Sequence, residues 1–306
     1  MPYDPDAEQR REYHVSPRYL AGSSGVGDPG FAPVGHWPHH HLDDGPCQLI
    51  VTSPDHRIRI RWFGDDYNLW KITAAADAAS PPEWTATFNQ NIPPEIVAGL
   101  TAALAHDWDA ESDRFLVRPT SKYWADSVRP LAEAGWKQAA TERGTVKISS
   151  PDKQAGAWID TRHYGRDDET MMLWAGPPGY LSRAEAVFTS GTPAHLVAAT
   201  AAAMADPAPV TRERHMIHRQ VAHLVRLTPV EAPVPAESCA PTPLDVRRTA
   251  VSAAVQRASR DPRAAARVHA ARIRTSAPSA RTTPAATSQP PDSLPSGART
   301  PTRHRR

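Results

Sequence analysis

The feature that most constrains this chain is that its central 150 or so residues state one pattern twice. Residues 49–104 run from an apolar stretch into Ser53-Pro54-Asp55, an alternating segment to Trp62, Leu69-Trp70, a segment ending at Phe88, and a Pro-opened helical pattern. Residues 146–204 repeat the order with Ser150-Pro151-Asp152, Leu173-Trp174, Phe188 and a pattern opened by Pro193. From Phe88/Phe188 to Pro93/Pro193 the offset stays at 100 residues. A near-constant offset means that one supersecondary unit has been used twice, and the fold must place two such units side by side or in series.

Within the first copy, residues 49–52 read as a short strand ended by the Ser-Pro-Asp turn. Proline pre-sets φ for a tight turn, and Ser and Asp side chains bond nearby backbone donors. Residues 57–62 alternate Arg57, Arg59 and Arg61 with Ile58, Ile60 and Trp62, so one face of that strand is dry and the other charged. Residues 69–73 and 83–88 supply third and fourth strands. Ile96, Leu100, Leu104 and Trp108 then recur every four residues behind Pro93 and Pro94, with Glu95 at the positive end of the helix. In the second copy Thr192 reads as the N-cap, Pro193 as the first helical residue, and Leu196, Val197, Thr200 and Met204 as the buried stripe.

The expected architecture is therefore α+β: two tandem modules, each a four-stranded antiparallel meander covered by a C-terminal helix, plus a disordered basic tail. Each module has an upstream element ending in Trp: a helix over 121–137 interrupted at Pro130 before Trp136, and a short helix from about Asp28 before Trp37. The dry layer is expected to hold Trp70, Phe88, Val97 and Leu104 in one copy, and Trp174, Phe188, Val197 and Met204 in the other. The corresponding segments are a flexible terminus at 1–12, modules at 13–112 and 113–206, and an amphipathic helix with a Pro-rich linker at 207–242. An Arg/Ala-rich helical segment at 243–275 and the disordered stretch 276–306 complete the chain.

Charge divides the chain where the pattern does. Of 35 basic residues, 17 lie beyond residue 206, every one an arginine, against only 6 of the 33 acidic residues. A mildly acidic body thus carries a basic tail, which implies an acidic partner or self-docking. Cys47 and Cys239 are the only cysteines, too few for a disulfide scaffold or a Cys-rich zinc module. No leader-like or membrane-spanning apolar run is visible, and a cytoplasmic protein is expected.

The Ser-Pro-Asp turn, the Leu-Trp strand, the Trp-x-Ala-x-Phe run and the PPEIVAGLTAAL helix together resemble the SPDY-motif domain of unknown function, an actinobacterial family that often occurs as tandem copies. Residues 13–33 are similar to the segment that precedes its first copy. His56 and Lys153 stand where the motif's Tyr is usual, so no motif tyrosine can act here. The resemblance implies kinship and no activity.

Several groups invite a chemical reading. Ser53, Pro54 and Asp55, with Ser150, Pro151 and Asp152, are expected to be structural turns, because no His or Cys recurs beside both. His36, His39, His40 and His41 lie on a Pro-interrupted segment, away from the i, i+4 spacing that aims two rings at one metal, so no metal is expected. Gly25, Gly27 and Gly30 match a dinucleotide fingerprint literally, but no strand precedes them and Pro29 removes a needed N–H. Nucleophile-elbow, phosphate-loop and zinc-protease motifs are absent from the sequence. The Arg57, Arg59 and Arg61 row reads as a solvated strand face. In the tail, Arg260, Arg263, Arg267 and Arg274 share a narrow helical sector suited to phosphate, with no aromatic residue between them for base stacking. The expected function is a non-enzymatic binding or adaptor protein without cofactors, with a protein partner. The second reading is a nucleic-acid-associated factor acting through the tail, and no membrane partner is expected.

Overall fold

The computed structural model describes residues 8–23, 27–43, 45–64, 66–118, 124–139, 143–162, 165, 167–179, 183–230 and 251–252. All but the last two lie in one compact unit, Met1–Ala232. The second unit, Pro233–Arg306, is represented by the helical residues 251–252.

The duplication builds one sheet rather than two. Copy one contributes β2 (His39–His41), β3 (Leu49–Thr52), β4 (Ile58–Trp62), β5 (Trp70–Ala75) and β6 (Pro82–Phe88). Copy two contributes β7 (Lys137–Ala139), β8 (Thr145–Ser149), β9 (Ala155–Asp160), β10 (Glu169–Ala175) and β11 (Ala184–Thr189). Their order is β2-β3-β4-β5-β6-β11-β10-β9-β8-β7, antiparallel throughout. The two expected four-stranded sheets are thus two five-stranded halves joined edge to edge. Each meander leaves its last strand with unpaired backbone groups, and β6 and β11 satisfy each other.

The join has near-twofold symmetry. Phe88 opposes Ala186, Thr87 opposes Val187, and Ala86 opposes Phe188, so equivalent residues exchange places about the Thr87/Val187 pair. The side chains beyond it do the same. Asn89 Oδ1 accepts from the Glu185 N–H at 3.1 Å, and Thr189 Oγ1 accepts from the Thr85 N–H at 2.9 Å. Phe88 and Phe188 meet edge to face across the axis, 6.0 Å between centroids.

Among the described residues four α-helices cover one sheet face: α1 (Asp28–Phe31), α2 (Pro94–Asp109), α3 (Trp124–Glu133) and α4 (Ala194–Ala205). The long helices α2 and α4 pack on each other, with α1 flanking α2 and α3 flanking α4, so the helical layer repeats the symmetry of the sheet. Beneath them lie Trp70, Ile72, Trp84, Phe88, Ile96, Leu100, Leu173, Phe188, Leu196 and Met204, all within one continuous core.

Local differences from expectation have physical causes. α3 runs through Pro130 instead of breaking there, with Val128 and Leu131 buried to hold it. Pro193 is itself the N-cap of α4, and the Thr192 hydroxyl, buried beside it, makes no hydrogen bond. Trp174 is not in the dry layer. Met171 occupies the place that Trp70 holds in copy one, and the alternation of the strand turns Trp174 to the opposite face. Matching the two Leu-Trp pairs shifts the strand by three residues, and in a period-two element any odd shift exchanges every side chain between faces.

Residues 207–230 form no α-helix, only a short 3-10 turn at Arg214–Met216. β12 (Val210–Glu213) and β13 (Arg226–Pro229) flank β1 (Glu12–Ser16) in a second, three-stranded sheet. The apolar residues read there as one helical face include Ile217 and Val221, which are buried in the turns between the two strands. This small sheet is tied to the helical side: Arg212, itself buried, grips Glu95 of α2 through Nη1 at 2.8 Å and Nη2 at 2.5 Å. Arg18 reaches Asp206 at 2.8 Å. The opposite face of the large sheet is left open by the described elements.

Candidate functional site

The Ser-Pro-Asp turns are built identically. Ser53 donates to Asp55 Oδ1 at 2.6 Å, the Arg57 N–H donates to that same oxygen at 3.1 Å, and the Ile58 N–H donates to Ser53 Oγ at 3.0 Å. In copy two Ser150 donates to Asp152 at 2.5 Å, Gln154 N–H to Asp152 at 3.0 Å, and Ala155 N–H to Ser150 Oγ at 3.0 Å. The next residue is left-handed in both, His56 at φ 60° and Lys153 at φ 61°, and its side chain is exposed. The motif side chains are thereby engaged with the backbone that links β3 to β4 and β8 to β9.

The second carboxylate oxygens differ. Asp152 Oδ2 accepts from the Tyr19 hydroxyl at 2.7 Å. Partial burial opposes its charge, but the bonds from Ser150, the Gln154 N–H and Tyr19 outweigh this and hold its pKa below the usual carboxylate value. Burial, and then that same bond, push the Tyr19 phenol well above its ordinary value. Asp55 instead faces Arg57 at 3.7 Å, and Arg57 continues to Asp113 at 2.8 Å and lies over Phe115 at 4.9 Å. Asp55, Arg57, Trp108, Asp109, Glu111, Asp113 and Phe115 line an acidic cleft of about 520 Å³. Arg57 therefore leaves the arginine row that the sequence suggested.

The rest of that row lies on the open sheet face, where the copies diverge most. One line of neighbours crosses eight strands: Ile50, Arg61, Lys71, Thr87, Val187, Met172, Trp158 and Lys147. Counted from the two motif serines, Arg61 and Trp158 are equivalent, and their strand partners Lys71 and Met172 are equivalent too. In the adjoining row Arg59 and Thr73 of copy one stand where copy two has Gly156 and Trp174. The backbone is duplicated, while its open face has diverged: Arg59, Arg61 and Lys71 stand against Gly156, Trp158 and Met172, and at the flank the direction reverses, with Ile50 against Lys147.

The cations are poorly compensated. Arg61 and Lys71 oppose each other across β4 and β5, and among the described residues neither has a hydrogen-bond or ion-pair partner. Among the described residues Arg59 donates only to the Ala78 carbonyl. Burial, and then the charge of Arg59, press the Arg61 pKa downward. In the other half Trp158 is half-buried and has no ring partner among the described residues. Trp174 lies across Gly156, where a Cβ would come within 2.7 Å of its ring, and carries the Arg183 guanidinium 4.3 Å from its centroid. The acidic groups on this face include Glu185, reached by the Tyr67 hydroxyl at 3.4 Å, Glu83, engaged by Arg118 at 2.7 Å, and Asp160, two residues beyond Trp158, held by Arg162 at 2.8 Å.

Residues 52–110 and 149–210 match the model of the SPDY domain of unknown function (DUF317). The chain carries two tandem SPDY domains. Each matched segment opens at a Ser-Pro-Asp turn and ends just after a long helix, so both SPDY segments lie within the single ten-stranded sheet and its helical cover. No curated protein and no solved structure matches this SPDY protein.

His39, His40 and His41 form the edge strand β2 of the SPDY sheet, and among the described residues no cluster of His, Cys, Asp or Glu is placed to hold a metal. No helix among them is long and apolar enough to cross a membrane. Arg260, Arg263, Arg267 and Arg274 lie outside the described residues. Trp158, Met172 and Trp174 were missed as surface residues. The count from each Ser-Pro-Asp serine along the following strand finds Trp158, while Met172 and Trp174 are placed only by the pairing of β10 with β9.

Proposed function

We propose that this tandem SPDY protein is a non-catalytic binding protein whose recognition surface is the open face of the ten-stranded sheet. The observation that carries the reading is the divergence of equivalent positions on one duplicated scaffold: Arg61 against Trp158, Lys71 against Met172, Thr73 against Trp174. The buried face has kept its apolar character in both halves, as packing demands. On this face Arg61 and Lys71 stand opposed with no ion-pair partner among the described residues, and the half-buried indole of Trp158 lies on the same line in the other half. Large apolar side chains grouped on an open face mark interaction sites.

Footprinting tests this directly. Tagged full-length protein is recovered from its native host with whatever it binds, then oxidised before and after stripping by high salt. Trp158, Met172 and Trp174 are expected to be protected in the bound state and exposed after stripping. Protection confined to the helical side or to the cleft around Asp55 and Asp113 would overturn the proposal.

A further inference from the structure

We infer that the open face takes a single-stranded nucleic acid, with phosphates along the Arg59, Arg61 and Lys71 half and bases stacked on the Trp158 and Trp174 half. The inference rests on the reading of that face as the recognition surface, and three observations give the ligand its chemistry.

Charge comes first. Arg61 and Lys71 are directly opposed like charges, an arrangement that weakens a strand pair. With no carboxylate bound to either among the described residues, an anion from outside the chain would relieve the arrangement. An apolar protein surface laid here would remove both cations from water without neutralising them.

The second observation is the planar surface. Trp158 offers an indole with no ring partner among the described residues, flanked by Met172 on one strand and Lys147 on the other. Arg183 on Trp174 forms a ready-made cation–indole stack, and its Nε is buried without a hydrogen bond. Indoles and guanidinium planes are the groups on which unpaired bases stack. An acidic peptide would satisfy the cations and leave these planes unused. A duplex would present phosphates but keep its base faces inside the stack.

The third is length. Arg61 to Trp158 spans five strand-to-strand steps, about 24 Å at roughly 4.8 Å per step. A platform of that size falls among those seating roughly 4–16 nucleotides. Threonines and aliphatic side chains fill the middle of the line, with few groups able to read base edges, so binding should tolerate sequence. The line that joins the Arg61–Lys71 pair to Trp158 exists only because β6 meets β11.

The test uses the full chain and a fluorescein-labelled oligothymidylate of about 20 nucleotides, with a duplex of equal length for comparison. Anisotropy should show tighter binding of the single strand. Trp158→Ala should weaken it roughly 5- to 100-fold, and Trp158→Phe should restore most of the loss. Arg61→Thr and Lys71→Thr should each weaken binding and flatten the log–log salt slope by about 0.7 per lost phosphate contact. Arg61→Thr should also leave the melting temperature of the free protein unchanged or raised, because it removes a like-charge contact. Preference for the duplex, no binding at low salt, or binding unaltered by all three replacements would overturn the inference; the last result would place the affinity elsewhere in the chain. Nuclease treatment of the native complex separates this proposal from the one it rests on. A footprint on the open face that survives nuclease means a protein partner, which removes the nucleic acid and keeps the surface. Loss of the footprint with nuclease supports both.

Discussion

Tyr19 and Asp152 join the segment before the first SPDY copy to the motif turn of the second, 133 residues apart in sequence. Their shifts give this contact a signature in pH. The Asp152 pKa is depressed in the folded chain, so the contribution is present above the unfolded carboxylate value near 4 and is lost as pH falls through the folded value. The Tyr19 pKa is raised, so its contribution is complete below the unfolded value near 10 and declines as pH rises above it. Tyr19→Phe should therefore reduce stability at neutral pH while flattening both the acid and the alkaline limbs of the stability profile, measured by urea titration at a series of pH values. Asp152→Asn should flatten the acid limb and lower stability by about 0.5–2 kcal/mol, as for a lost side-chain cap. Asp55, whose second oxygen faces Arg57 instead, should show the neutral-pH loss on replacement by Ala without an alkaline change. An alkaline limb identical in wild type and Tyr19→Phe would show that the bond contributes nothing.

At the scale of elements, the helices that close each copy meet at one glycine. A Cβ on Gly99 would lie 2.6 Å from the Ala203 Cβ and 2.7 Å from the Ala199 carbonyl oxygen. Position 99 in one copy thus meets position 199 in the other, as Thr87 meets Val187 in the sheet. Helix propensity alone predicts that Gly99→Ala gains about 1 kcal/mol. Overpacking a close crossing costs about 1–3 kcal/mol, so the net effect should be a loss, and denaturant midpoints of the variant and wild type decide it. A raised midpoint would mean that the helices separate freely. The same geometry explains what the sequence could and could not disclose. The stripes through Ile96, Leu100 and Leu104, and through Leu196, Thr200 and Met204, are periodic and point to a sheet beneath. The crossing partner leaves no periodic mark, because Gly99 and Ala199 are ordinary small residues until two helices are laid together. Strand register is similarly silent: Leu69-Trp70 and Leu173-Trp174 look equivalent, yet only the ladder shows that Met171 has taken the buried place of Trp70. Residues 207–230 misled for another reason, since their strands exist only against β1, about 200 residues earlier.

For the whole molecule, the consequence of one shared sheet is one shared stability. Two modules with separate sheets would have separate cores and could melt independently. Here the core is continuous from Val51 in copy one to Met204 in copy two, and the join rests on three registered residue pairs with Phe88 and Phe188 packed across them. Both rings are essentially inaccessible, 0% for Phe88 and 1% for Phe188. Truncating either to Ala should cost about 3–5 kcal/mol, because it removes a large buried surface and leaves a cavity at the axis. The more discriminating readout is cooperativity. Residues 8–230 should unfold in a single transition with calorimetric and van't Hoff enthalpies equal, and Phe188→Ala should lower the midpoint for both copies together. Amide exchange gives the spatial check: protection of β4 and β5 should fall as much as that of β9 and β10, although the substitution lies in copy two. Two resolved transitions, or a loss of protection confined to one copy, would mean that the halves are independent domains that merely touch. A recognition surface needing cations from one half and indoles from the other would then lack the rigid frame that holds them in register.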